Sequence, residues 1–168
     1  MIKIGKNISS FSTYSCQPTS KKELKKIIEE KISKYGYECD LNDIDTSLIT
    51  DMSFLFYKSK FNGDISNWNV SKVKDMHDMF NWAIFTGDIS GWDVSNVEDM
   101  GWMFNYSKFN GNIHKWDVSN VKSMSNMFSM SWFNQDISNW NIYKYCDVRD
   151  MFFNCQIKEE FKPKSLQK

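Results

Sequence analysis

The sequence predicts an α/β solenoid: short parallel strands and helical turns, coiled five times and closed at the N-terminus by a capping helix. Three observations predict it. The stretch Phe61-Asn62-Gly63-Asp64-Ile65-Ser66-Asn67-Trp68-Asn69-Val70-Ser71, followed by Met79-Phe80, returns every 24 residues, so that Trp68, Trp92, Trp116 and Trp140 keep one register. A fixed period of about 20–50 residues is the mark of a stacked-repeat chain. Within a repeat, Val73, Met76, Met79-Phe80 and Ala83 recur at helical spacing. Ahead of the repeats, Leu24, Ile27, Ile28 and Ile32 form one apolar stripe on a Lys/Glu-rich segment.

Residues 1–18 are Ser/Thr-rich and read as an N-terminal arm with room for one short strand. Residues 19–36 read as the capping helix. Ser20 is placed to cap it, Glu23 to complete a capping box, and Gly36 to end it. A terminal repeat would otherwise expose its core to water. Residues 37–156 divide into five repeats, 37–60, 61–84, 85–108, 109–132 and 133–156. The first is degenerate, yet Leu41, Ile44, Ile49, Met52 and Leu55-Phe56 keep every core position apolar. Residues 157–168 form the C-terminal end and tail.

Inside each coil, Asp64-Ile65-Ser66 suits a very short strand, and Ser71, Ser95 and Ser119 suit N-caps of the helical turns. An alternative places the strand at 70–76. The Trp, Phe and Met columns are expected to form a continuous internal spine, each buried Phe or Met contributing about 1.5–3 kcal/mol. Leu55 and Val148 replace Met in its columns, so bulk is required there and sulfur is not. Asp40, Asp64, Asp88 and Asp136 share a column with Asn112. A position that accepts Asn for Asp calls for an oxygen acceptor rather than a charge, and such groups satisfy turn N–H donors.

Lys+Arg and Asp+Glu balance at 21 each, which leaves no global field for nucleic acid or an anionic membrane. Cys16, Cys39, Cys146 and Cys155 form no CxxC pair, and His77 and His114 recur in no motif. No P-loop, GxSxG or HExxH is present. Neither an enzyme activity, a metal nor a cofactor is therefore expected. No apolar run follows the first lysines and none is long enough to span a bilayer, which favours an unexported protein unless a leader was removed.

The motif FNGDIS-W-(D/N)-VS-V-M-MF, with Glu23-Leu24-Lys25-Lys26-Ile27-Ile28 and Asp40-Leu41-Asn42-Asp43-Ile44-Asp45, resembles the BspA-type leucine-rich repeat family and its short-repeat branch of unknown function. The resemblance covers residues 19–156 and implies a leucine-rich-repeat-like coil. Many members of that family are surface proteins tied to adhesion, and no catalysis attaches to it. The expected function is a non-enzymatic scaffold that binds another, unidentified protein; the alternative is a surface adhesin or glycan-binding module. Positions that vary between repeats are those free to carry recognition. Trp82, Trp102, Tyr106, Met130 and Trp132 are large apolar residues at such positions and form the candidate partner-binding strip. Self-association through the C-terminal end is a further expectation, since that cap is thin.

Overall fold

A computed structural model describes residues 14–167. The arm expected over residues 1–18 lies mostly outside them. Its described end runs beside the first repeat: Ser15 N–H donates to Asp43 O at 2.7 Å, and Cys16 bridges Ile44 in parallel.

The capping helix forms as α1 (Lys21–Tyr35). Ser20 accepts from Glu23 N–H, and Gly36, at φ 88°, returns its N–H to Ile32 O at 2.8 Å. A positive φ at the helix end is the conformation that favours glycine. Glu23 closes the cap one residue earlier than a capping box requires, accepting from Thr19 N–H at 2.8 Å. Leu24 and Ile28 are buried. Lys21 pairs with Asp51 and Lys31 with Asp43, each at 2.7 Å, which fastens both ends of the helix to the first repeat. Burial pushes both carboxyls up, but hydrogen bonds from these lysines and from Ser15 and Ser53 outweigh it. Both acids are held below the usual carboxylate range.

The remainder is not the expected α/β solenoid. Among the described residues α1 is the only α-helix, joined by two 3-10 turns, Glu159–Phe161 and Lys164–Leu166. Among the described residues there is no sheet, and parallel pairing is confined to isolated bridges, Cys16↔Ile44, Asp40↔Asp64 and the series Asp51↔Asp75↔Asp99↔Ser123↔Asp147. The chain bends on either side of each bridging residue, so neither proposed strand position extends into a strand.

The helical turns are absent for a specific reason. Asp78 and Trp82, at φ 57° and 58°, sit in the left-handed region, and their counterparts in the other repeats do the same. A left-handed residue every fourth position interrupts an α-helix. Backbone donors instead alternate. Met76, Asp78, Phe80 and Trp82 give their N–H to Asp99, Gly101, Met103 and Asn105 O of the next repeat, at 2.9–3.0 Å. Met79, Asn81 and Ala83 close local three-residue turns on Met76, Asp78 and Phe80, at 3.0–3.2 Å. Each left-handed corner returns an apolar side chain to the inside after three or four residues, which mimics helical spacing. Ser71 caps no helix; with its N–H it closes a small turn on Asn69 Oδ1 at 3.1 Å.

The repeats therefore stack as layers of turns, each one chain-thickness deep. Phe56, Phe80, Phe104, Phe128 and Phe152 lie ring on ring with centroids 5.4–5.9 Å apart. Phe61, Phe85, Phe109 and Phe133 form a second column at 6.2–6.4 Å. Trp68 and Trp92 stack at 6.5 Å and 2°, and Trp116 and Trp140 at 6.5 Å and 8°. Each indole N–H donates to a carbonyl of the preceding layer: Trp68 to Leu41 O, Trp92 to Ile65 O, Trp116 to Ile89 O and Trp140 to Ile113 O, at 3.0–3.2 Å. A buried indole N–H without a partner would be costly, so this bond accounts for the fixed register of Trp.

The acidic ladder serves the turns. Asp64, Asp88, Asn112 and Asp136 each accept from the backbone N–H two residues on, at 2.8–3.1 Å. Asn serves as well as Asp because only an oxygen is needed.

Candidate functional site: an exposed aromatic face

Apart from the buried Asp78, the left-handed corners are exposed or half-buried. The described non-glycine residues in this conformation fall two to a repeat: Phe54 and Lys58, Asp78 and Trp82, Trp102 and Tyr106, Asn126 and Met130, Asp150 and Asn154. Four of the five strip residues, Trp82, Trp102, Tyr106 and Met130, occupy such corners. Asn and Asp tolerate this conformation; a bulky ring there is an outlier. The same columns hold Asn126, Asp150 and Asn154, so a locally cheaper residue fits each site.

The rings are not compensated by deep burial. Trp82 is 52% exposed, Tyr106 41% and Trp102 37%. The structure brings Trp82 and Tyr106 together, with centroids 4.2 Å apart and planes 11° apart. Such a pair contributes about 0.5–1.5 kcal/mol beyond its buried area. Met130 follows in the same column and is half-buried. Trp102 stands in the neighbouring column. Trp132 is in a third, 56% exposed, with Lys108 Nζ 5.6 Å from its ring centroid. The strip is thus a central stacked pair with separate apolar outliers rather than one continuous ribbon.

Sequence reasoning missed Phe54. It occupies the Trp102 column in the first repeat, is 46% exposed, and lies 5.6 Å from the His77 ring. Extending the variable columns back into the degenerate first repeat, as was done for the core columns, would have found it. His77 is half-buried, with Nε2 2.8 Å from Asp78 Oδ2. His114 is half-buried, its Nδ1 2.7 Å from Asn112 Oδ1.

Cys155 stands in the column of Ala83, Ser107 and Ser131, half-buried, with its thiol 3.3 Å from Phe133 O. Burial pushes its thiol up, and pushes that of Cys146 up to about 11. A thiol in that range is a poor nucleophile. On another face Glu98 lies between Lys74 and Lys122, at 3.7 and 2.5 Å, so ion pairs link three layers there. No helix among the described residues is long and apolar enough to cross a membrane.

The left-handed corners yield a test of what Trp102 is for. Trp102→Asn is expected to leave stability unchanged or raise it by up to about 1 kcal/mol, because Asn adopts this backbone at lower cost. Urea denaturation measures it. A loss above about 1 kcal/mol would identify the ring as packing material rather than as surface.

Compared with known proteins, residues 22–131 and again 84–162 match a family described as "Mycoplasma protein of unknown function, DUF285". No curated protein matches, and no solved structure matches.

Proposed function

The chain belongs to the DUF285 family of unknown function, and we propose that it is a non-enzymatic binding scaffold whose partner, another protein, docks on the aromatic corners. The observation that carries this is the Trp82–Tyr106 pair. Two large rings are held at backbone positions that disfavour them, half open to solvent, where an Asn would satisfy the fold. Strain kept at a half-exposed pair, against a stacking reward of only about 0.5–1.5 kcal/mol, points to use of the surface. Tyr and Trp are also the residues that protein interfaces enrich as anchors. The motif's likeness to BspA-type repeats supports the same reading.

A protein partner fits better than a glycan. Trp82 and Tyr106 stack on each other, which takes one face of each ring away from a sugar, and Tyr and Trp are enriched at protein interfaces.

The test is affinity capture with wild type beside the Trp82→Ala, Tyr106→Ala double variant, with the fold of each checked by thermal melting. Loss of a specific partner from the variant is expected. Equal recovery from both would sink this face as the docking surface.

A further inference from the structure

The aromatic corners share their face with cations and with no exposed acid. Trp82, Tyr106 and Met130 belong to a column that begins with Lys58. Two residues further along each repeat, a second column reads Lys60, Ile84, Lys108 and Trp132. Between the two the chain turns inward, at the buried Ala83, Ser107 and Ser131. The residues of both columns are exposed over these four repeats, except the half-buried Met130. Neither column holds an Asp or a Glu in any repeat, and the column beyond them reads Asn62, Thr86, Asn110 and Asn134. On the other side, Asp78 in the Trp102 column is buried and engaged by His77 Nε2 and Asn81 Nδ2.

Lys58, Lys60 and Lys108 therefore have no carboxylate to meet. Among the described residues none of the three is in an ion pair, whereas Lys21, Lys31, Lys74 and Lys122 on other faces each hold one. Lys58 Nζ instead lies 5.0 Å from the Tyr57 ring centroid, and Lys108 Nζ 5.6 Å from that of Trp132. A cation over an exposed ring is held weakly and stays available to an anion. The chain's charges balance overall, so these cations are matched elsewhere: Asp40, Asp64, Asp88 and Asp136 stand exposed on the ladder column. Charge is sorted by face.

We propose that the partner of this face is an acidic polypeptide segment with apolar anchors. Its carboxylates pair with Lys58, Lys60 and Lys108, and its apolar side chains settle on Trp82, Ile84 and Trp132. The inference rests on the aromatic docking face described above and adds the charge of what that face receives. Complementary charge of this kind sets partner choice and encounter rate, while buried rings supply the anchors. The layering favours a polypeptide. Cations stand in the first and third repeats, and the second and fourth present only apolar residues in these two columns. A nucleic-acid strand carries a phosphate at every nucleotide and is tracked by a continuous basic groove. A polypeptide varies its side chains from one residue to the next and can match the alternation. A second copy of this chain does not fit. Its acidic column is flanked by Ser66, Asn67, Ser90 and Gly91, which offer the rings no apolar anchor.

The probe is a phage-displayed library of random peptides, selected on the immobilised full chain. A length of about twelve residues, at about 3.3 Å each, spans all four layers. Asp and Glu beside large apolar residues are expected to be enriched. The leading peptide, synthesised and labelled, is then titrated by fluorescence anisotropy. Its binding is expected to weaken about fivefold or more between about 50 and about 300 mM salt. The Lys58→Glu, Lys60→Glu, Lys108→Glu variant is expected to bind it about tenfold or more weakly. Lys72→Glu, Lys115→Glu, Lys144→Glu makes the same change in net charge at exposed positions in other columns. It is expected to bind within about twofold of wild type. Thermal melting checks the fold of each variant. No enrichment over the bare support, neutral or basic winners, or equal losses in the two triple variants would overturn the proposal. So would tighter binding of a single-stranded oligonucleotide or of phosphatidylserine vesicles, or self-association that the first triple variant abolishes. Neutral winners that are lost with Trp82→Ala, Tyr106→Ala would leave the aromatic docking face standing and remove only its acidic partner. Acidic winners that bind this double variant as well as wild type would remove both.

Discussion

Phe104→Ala is expected to lower the free energy of unfolding by about 3–5 kcal/mol, the range for emptying a buried aromatic site. Phe104 is fully buried at the middle of its column. Its ring lies 5.6 Å from Phe80, 5.6 Å from Phe128 and 4.4 Å from Phe109. The void cannot close, because the layer spacing is set by main-chain bonds on both sides of it. Those bonds, Phe80 N–H to Met103 O and Phe104 N–H to Met127 O, are each 2.9 Å. A domain is stable by roughly 5–15 kcal/mol, so this one change removes much of it. Equilibrium urea denaturation followed by tryptophan fluorescence measures the loss. Phe152→Ala, at the half-covered end, is the comparison and should cost clearly less. Equal costs would mean that the column does not act as a continuous core.

Gly63→Ala is expected to cost about 3 kcal/mol, at the upper end of what overpacking costs. A Cβ at Gly63 would stand 2.0 Å from Cys39 O and 2.8 Å from the Phe61 ring. The carbonyl is main chain and is itself engaged, accepting from Asp64 N–H at 3.3 Å. It cannot swing aside without opening the contact between the first two layers. Gly111→Ala is the control. The atoms nearest its Cβ would be those of the Phe109 ring, at 2.7–3.7 Å, with no main-chain atom nearer. The last repeat already carries Gln135 at this place, which shows that the ring can shift. That variant should cost less than about 1 kcal/mol. Thermal melts of the pair decide it, and a Gly63→Ala protein as stable as Gly111→Ala would contradict the close approach.

Much of the core was legible because it is a matter of register. Val73, Met76, Met79 and Phe80 are buried as their columns required, and Trp68 stacks on Trp92 as the period demanded. The capping helix was legible from Ser20, Gly36 and one apolar stripe, all local signals. The secondary structure of the repeats was not. Apolar residues three and four apart return to the inside of an α-helix, but they also return after a left-handed corner. The decisive φ angles at Asp78 and Trp82 are occupied by residues that do not announce them. Asn126 and Asn154 in the same columns were the available hint, since Asn is the non-glycine residue at home there. The strip residues were found by their variability alone. That Trp82 and Tyr106 would stack, and that Trp102 and Trp132 would stand apart from them, depended on how far each corner is rotated about the layer.

By itself the sequence determined what repeats, what is buried and in which register, because a period of identical side chains leaves one economical way to pile them. Only the tertiary structure decided how the backbone travels between those side chains. The N–H groups of each layer find their acceptors in the next layer rather than four residues back, and a bond between layers is written in no local stretch of letters. The same cause decided the candidate surface: corners that turn aromatic rings outward.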